Sequence, residues 1–183
     1  MGNVLKAMMG KHWDYVVIQD HSMGPINHPE LTRKYVSLIA AQARLSGAQP
    51  ILYLTWAREY NPATQAQLDS VYTQLAVQNH ALLAPVGQAW QKALSESPKP
   101  DLYIYDGSHP TYSGSYLAAS VFYSLIYGQR PPLPTQADAK RFQQVPADSL
   151  QQDAWSALQA QNVALRTLPN RLDMLATAQD KAR

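Results

Sequence analysis

WDYVVIQDHSMGPINHPELTRKYVSLIAAQARLSGAQPILYLTW, residues 13–56, decides the fold. Its opening, WDYVVIQD (13–20), is a compact β-branched run closed by polar residues, the pattern of a buried strand. The turn-rich HSMGPINHP follows. PELTRKYVSLIAAQARLSG then places Pro29 at a first helical position, repeats Leu31, Tyr35, Leu38, Ile39 and Leu45 near helical spacing, and stops at Gly47. PILYLTW (50–56) is the next strand. A strand, a helix and a strand joined by short loops call for parallel strands and a right-handed crossover.

The unit repeats along the chain. ATQAQLDSVYTQLAVQNH reads as a helix, ALLAPVG (81–87) as a third strand, QAWQKALSE as a helix, DLYIYD (101–106) as a fourth strand and TYSGSYLAASVFYSLIYG as a long helix. This alternation predicts an α/β fold, a three-layer α/β/α sandwich around a parallel sheet. After Gly128 the texture changes: residues 129–148 are rich in Pro and Gln and read as an extended connection. Residues 149–178 carry Leu150, Ala154, Trp155, Leu158 and Val163 at amphipathic spacing and read as a helical strap docked on the sheet by Trp155. One domain over 1–183 is expected, with its α/β core at 13–128 and no internal repeat.

Composition narrows the function classes. Fifteen basic against thirteen acidic side chains give a formal charge of +2, with no Lys or Arg run to track a phosphate backbone, so nucleic acid is not an expected partner. No segment reaches the roughly 20 apolar residues of a membrane span. The start, MGNVLKAMMGKHWD, has too short an apolar region for a signal peptide; a periplasmic or secreted location would need one upstream. The absence of Cys excludes disulfides and thiol chemistry and leaves the compartment unread.

In open parallel sheets, ligands bind beyond the carboxyl ends of the strands. That rule brings QDHS, TWAR and DGSH to one rim. Within DGSH, Asp106 and His109 stand three residues apart at a strand-to-helix corner. A carboxylate bonded to one imidazole nitrogen fixes the tautomer and leaves the other nitrogen to take a proton from a nucleophile. Asp106 and His109 therefore read as orienter and general base, with capping of the helix as the bland alternative. Pro110 is expected to start the helix at once.

Other rim residues carry weaker signals. Ser22 lies in DHSMG, a D-x-S-x-G variant of a nucleophile elbow, although Asp20 crowds the turn and PINHP delays a helix. Trp56 is a candidate for stacking on an acyl or sugar group, and Arg58 for gripping an anion. His21 and His28 with Asp20 fit no standard metal spacing. His80 falls at a helix end, where a cation suits the dipole.

DGSHPTYSGSYLAASVFY resembles the final block of the SGNH (GDSL-like) hydrolases, and WDYVVIQDHSMGP resembles that superfamily's third block, in members whose strand ends in Gln. GQRPPLP followed by LQQDAW is similar to the C-terminal region of a bacterial branch. The resemblance implies a flavodoxin-like hydrolase of ester bonds, acyl or acetyl, acting on a small-molecule or carbohydrate ester without a cofactor or metal. It assigns the base to His109 and the acid to Asp106. The family's Asn position falls on Met23, leaving Gln19 as an oxyanion candidate. The family's nucleophile is a Ser in a GDS- or GNS-like block, and none precedes Trp13. The stretch before Trp13 is too short for the family's first strand, helix and second strand. The chain is thus expected to be the later part of a longer protein, inactive alone, with an incomplete sheet through which a second copy could pair. Two alternatives stand beside the esterase: a non-catalytic binding or scaffold domain, and a metal-dependent phosphoesterase built on Asp20, His21, Asp106 and His109.

Overall fold

Three short parallel strands form the platform. The computed structural model describes residues 6–8, 10–142 and 144–167; residues 168–178 of the expected strap lie outside them. Strand β1 (Tyr15–Ile18) pairs with β2 (Gln49–Tyr53), and β2 pairs with β3 (Leu82–Ala84), in the order β1-β2-β3. Between β1 and β2 run α1 (Gly24–Asn27) and α2 (Pro29–Leu45). A 3-10 turn (Pro62–Thr64) and α3 (Gln65–Gln78) connect β2 to β3. Beyond β3 come α4 (Val86–Ser95), α5 (Tyr112–Tyr127), α6 (Gln136–Ala139) and α7 (Ala147–Thr167). The α/β/α fold expected from the alternation is the one observed.

Side chains on a strand point alternately to opposite faces, and this builds two cores from one sheet. Ile51 and Ala84 enter one core with Trp90 of α4, Leu117 and Val121 of α5 and Leu150, Ala154 and Ala157 of α7. Leu52, Leu83 and Ile18 enter the other with Val36 and Ala40 of α2 and Leu68, Tyr72 and Leu75 of α3. Burying each such Leu or Ile contributes roughly 1.5–3 kcal/mol, so neither layer is dispensable. Helix α7 packs on α4 and α5 through Leu150, Ala154 and Ala157 and leaves Trp155 only half-buried, which corrects the expected docking on the sheet by Trp155. Within 129–148 the chain forms α6, and Gln151 Nε2 donates to the Pro132 carbonyl (3.1 Å) and the Tyr116 hydroxyl (2.6 Å), fastening the connection to α5.

The fourth strand is the main departure. Residues 101–106 do not join the sheet; Tyr103 makes an isolated antiparallel bridge with Pro110. Ile104 N–H donates to the His109 carbonyl (2.9 Å) and Thr111 N–H to the Leu102 carbonyl (2.9 Å). The backbone groups that would have paired with β3 are used within the corner itself, and Tyr105 is fully exposed.

The face of α2 also differs from its sequence pattern. Thr32, Val36, Ala40 and Ala43 face inward, whereas Leu31, Tyr35, Leu38 and Leu45 form an exposed stripe. The stripe lies on the side of the sheet's β1 edge, where Tyr15 and Val17 are also exposed. Met8 is buried against Ala43 and Ala48, so the segment before β1 covers one end of α2.

Where α7 meets α4, Lys92 Nζ is shared between Glu96 (2.7 Å) and the buried Asp153 (3.5 Å). Burial, then the Glu96 charge, push the Asp153 carboxyl up to about 6. A carboxyl raised on folding binds more protons folded than unfolded between its ordinary value of 3.8 and about 6, so its effect is to weaken the fold as pH rises through that window. Glu96 is shifted the other way by its bond to Lys92 and acts in the more acidic range below 4.5. The expected result is a Tm that climbs as pH is lowered from 7 towards 5, with Asp153→Asn flattening the climb. Thermal melts across that range check it.

Candidate active site

Asp106 and His109 meet. Asp106 Oδ2 lies 2.5 Å from His109 Nδ1, and Oδ1 accepts the Ser108 and His109 backbone N–H groups, each at 2.9 Å. Gly107, at φ +63°, makes this wrap possible, since the left-handed region costs glycine no clash with a Cβ. The His109 backbone bond, its ring bond and the Ser108 backbone bond hold the Asp106 carboxyl down at about 2. The carboxylate therefore stays ionised across any ordinary assay pH. The His109 side chain is 73% exposed, and its Nε2 has no hydrogen bond among the described residues.

The helix after the corner starts later than Pro110 suggests. Pro110 belongs to the bridge with Tyr103, and Thr111 caps α5, its hydroxyl accepting from Gly114 N–H at 3.1 Å. A Cβ on Gly114 would stand 2.5 Å from the Leu102 carbonyl and 2.5 Å from the Trp90 ring. Gly114→Ala is expected to destabilise by about 1–3 kcal/mol as that overpacking is relieved by moving the corner, measurable by urea unfolding.

A second loop braces the first. Trp56 Nε1–H donates to the Ser108 carbonyl (2.9 Å), Glu59 N–H to the Gly107 carbonyl (2.9 Å), and Tyr103 hydroxyl to the Ala57 carbonyl (2.7 Å). Burial pushes the Tyr103 phenol up to about 12, keeping it a donor. Trp56 stacks on the buried Trp90 at 4.0 Å and 9°, so its ring is engaged within the fold. Tyr103 and Glu59 were not singled out in the sequence: one sat in an apparent strand, and the other acts through its backbone.

The remaining candidates are spread along the same loops. Arg58 reaches the Tyr60 hydroxyl (2.7 Å) and Ser22 Oγ (3.5 Å), while its buried Nε has no partner among the described residues. Ser22 is thus brought to Arg58, and no hydrogen bond joins it to His109. A short helix, α1, begins two residues after Ser22, earlier than PINHP had suggested. Gln19 is exposed at the end of β1 and lines a cavity of about 420 Å³ with Asp20, His28 and Tyr35. The Asp20 carboxylate accepts from Thr32 Oγ1 and His21 N–H, which makes it a loop organiser. No group of three or more His, Asp or Glu able to hold a metal ion occurs among the described residues. His80 adopts φ +49° after α3, and its carbonyl accepts from Gln49 Nε2 at 3.1 Å. No described helix is long and apolar enough to cross a membrane.

No family model and no curated protein matches the chain. Among solved structures, one from Slackia heliotrinireducens, assigned to the SGNH hydrolases, is 30% identical with a TM-score of 0.60, spanning 66% of this chain and 70% of that one. The crystal structure of TesA is similar in fold, with 16% identity and a TM-score of 0.50 over 87% of this chain and 70% of that one. The chain belongs to the SGNH hydrolase superfamily. The resemblance carried by DGSHP and WDYVVIQD is thereby substantiated at the level of family and fold.

Proposed function

We propose that the chain carries the base and its orienter for serine-type hydrolysis of ester bonds, acyl or acetyl, in a small-molecule or carbohydrate ester. The observation that supports this reading is the 2.5 Å bond between Asp106 and His109 Nδ1, with Nε2 turned to a solvent-exposed rim. A neutral imidazole protonated at Nδ1 presents an acceptor at Nε2, the form able to take a serine proton as the hydroxyl attacks the ester carbonyl. In the proposal, His109 then returns that proton to the leaving alcohol. In the proposal, the attacking serine is the one that the family resemblance implies, in a GDS- or GNS-like block. Gln19 is the candidate amide donor to the oxyanion, and Arg58 the candidate grip for an anionic part of the substrate.

Ser22 is the competing nucleophile, and the assay separates the two. Short-chain nitrophenyl ester turnover is measured on this chain, on the chain extended upstream in its own reading frame, and on Ser22→Ala in each. The proposal expects near-inert protein without the extension and Ser22→Ala within a few-fold of its parent. Loss of activity in Ser22→Ala would give the role to Ser22. A second reading, a non-catalytic domain on the same fold, draws on one observation: no serine hydroxyl bonds to His109 among the described residues. Inactivity of the extended protein on every ester tried would favour it.

A further inference from the structure

The peptide group joining Ser108 to His109 is held from both sides. Its carbonyl accepts the Trp56 indole N–H at 2.9 Å, and its N–H donates to Asp106 Oδ1 at 2.9 Å. The other oxygen of the same carboxylate meets His109 Nδ1. One chain of hydrogen bonds therefore runs from an indole through a peptide and a carboxylate to the imidazole. Successive bonds of this kind polarise one another: a donor on the carbonyl makes the N–H of the same peptide a better donor.

Trp56 is suited to anchor such a chain. Its ring lies flat on Trp90, which is 1% exposed, and the edge of Tyr53 closes on it at 6.5 Å. The donor is thus fixed by the core, whereas the groups it restrains are exposed: His109 by 73% and Asp106 by 31% of their side chains. An exposed Asp–His pair on a glycine-containing turn has no packing of its own to hold it. The restraint has to come from the bonds that reach it.

We infer that Trp56 is a positioning residue, whose indole N–H, acting through the Ser108–His109 peptide, locks the Asp106–His109 pair in its Nδ1–H form. In this role it acts through the peptide rather than by the substrate stacking that its rim position suggests. The consequence for turnover rests on His109 being the base; the geometry does not.

Trp56→Phe removes the donor and retains a ring able to lie on Trp90. Backbone ¹⁵N relaxation and the ¹⁵N spectrum of the His109 ring are read in parent and variant. In the parent, Ser108 and His109 are expected to have order parameters near the rigid value of about 0.85, and the ring to be protonated at Nδ1 when neutral. In Trp56→Phe the order parameters should fall towards about 0.6 and the Nδ1 preference weaken, with other loops unaffected. Phe122→Leu, which disturbs the same aromatic cluster through Tyr53, should lower Tm and leave both readouts in place. Unchanged order parameters and tautomer in Trp56→Phe would overturn the inference. If that variant fails to fold, exchange of the Trp56 indole proton in the parent decides: protection supports the bond, and exchange at the rate of free tryptophan overturns it. Failure of the ester assay would count against the proposed function without moving these readouts.

Discussion

His109→Ala is expected to lower kcat for a short-chain ester by about 10⁶, measured in whichever form of the protein turns over, because a base and its nucleophile act as one unit. The remaining rate should come from substrate binding and oxyanion donors alone, which do not need the imidazole. KM should move little, since the ring reaches the reacting proton and offers the ground-state ester no strong contact. A capping residue would behave differently. His109 supplies no side-chain cap to α5, a task done by Thr111, so truncation should leave Tm nearly unchanged while abolishing turnover. Retention of most activity in His109→Ala would remove the proposed mechanism.

Asp106→Asn is expected to cost about 10⁴ in kcat with the fold intact. An asparagine placed here can offer its N–H₂ to Nδ1, which then has to be the unprotonated nitrogen. The proton moves to Nε2, where the base must accept one. The substitution also exchanges a charged acceptor of three bonds for a neutral one. That part of the loss follows pH with a definite sign. The Asp106 carboxyl is held at about 2, below its ordinary 3.8, so the corner gains from the charge above 3.8 and loses it only as pH falls towards 2. Activity between pH 5 and 8 should therefore carry no titration from Asp106. A rate loss of less than tenfold would show that tautomer control lies elsewhere.

Much of the fold was legible because β-branched runs and helix stops are local signals. WDYVVIQD and ALLAPVG each contain the strand that forms, PILYLTW holds all of β2 but its first residue, Gln49, and Pro29 and Gly47 bracket α2 as expected. DLYIYD failed for a reason the same signals cannot carry. Alternation predicts an extended backbone, but whether that backbone finds β3 or folds back on Pro110 is decided by tertiary hydrogen bonds. The stripe of Leu31, Tyr35, Leu38 and Leu45 is similarly instructive: periodicity finds a helical face, and only the placement of α2 tells which face the sheet takes. At the candidate site, the contact between Asp106 and His109 was readable from three-residue spacing on a corner. Trp56 was picked out by its position on the rim, yet its inward turn depends on Trp90, thirty-odd residues later in sequence.

The bond from Trp56 to Ser108 joins positions 52 residues apart. Closing so long a segment carries an entropic cost that a single hydrogen bond does not repay, so the bond has to wait until the strands and α4 have already drawn its ends together. During synthesis, β1, β2 and β3 all leave the ribosome before His109 does, and the corner settles onto a platform that is ready for it. On heating, the order reverses: loss of the Trp56–Trp90 stack frees the corner while the sheet still holds. Loss of the corner should precede loss of helical signal in such a protein, making its chemistry an early witness to damage elsewhere in the chain.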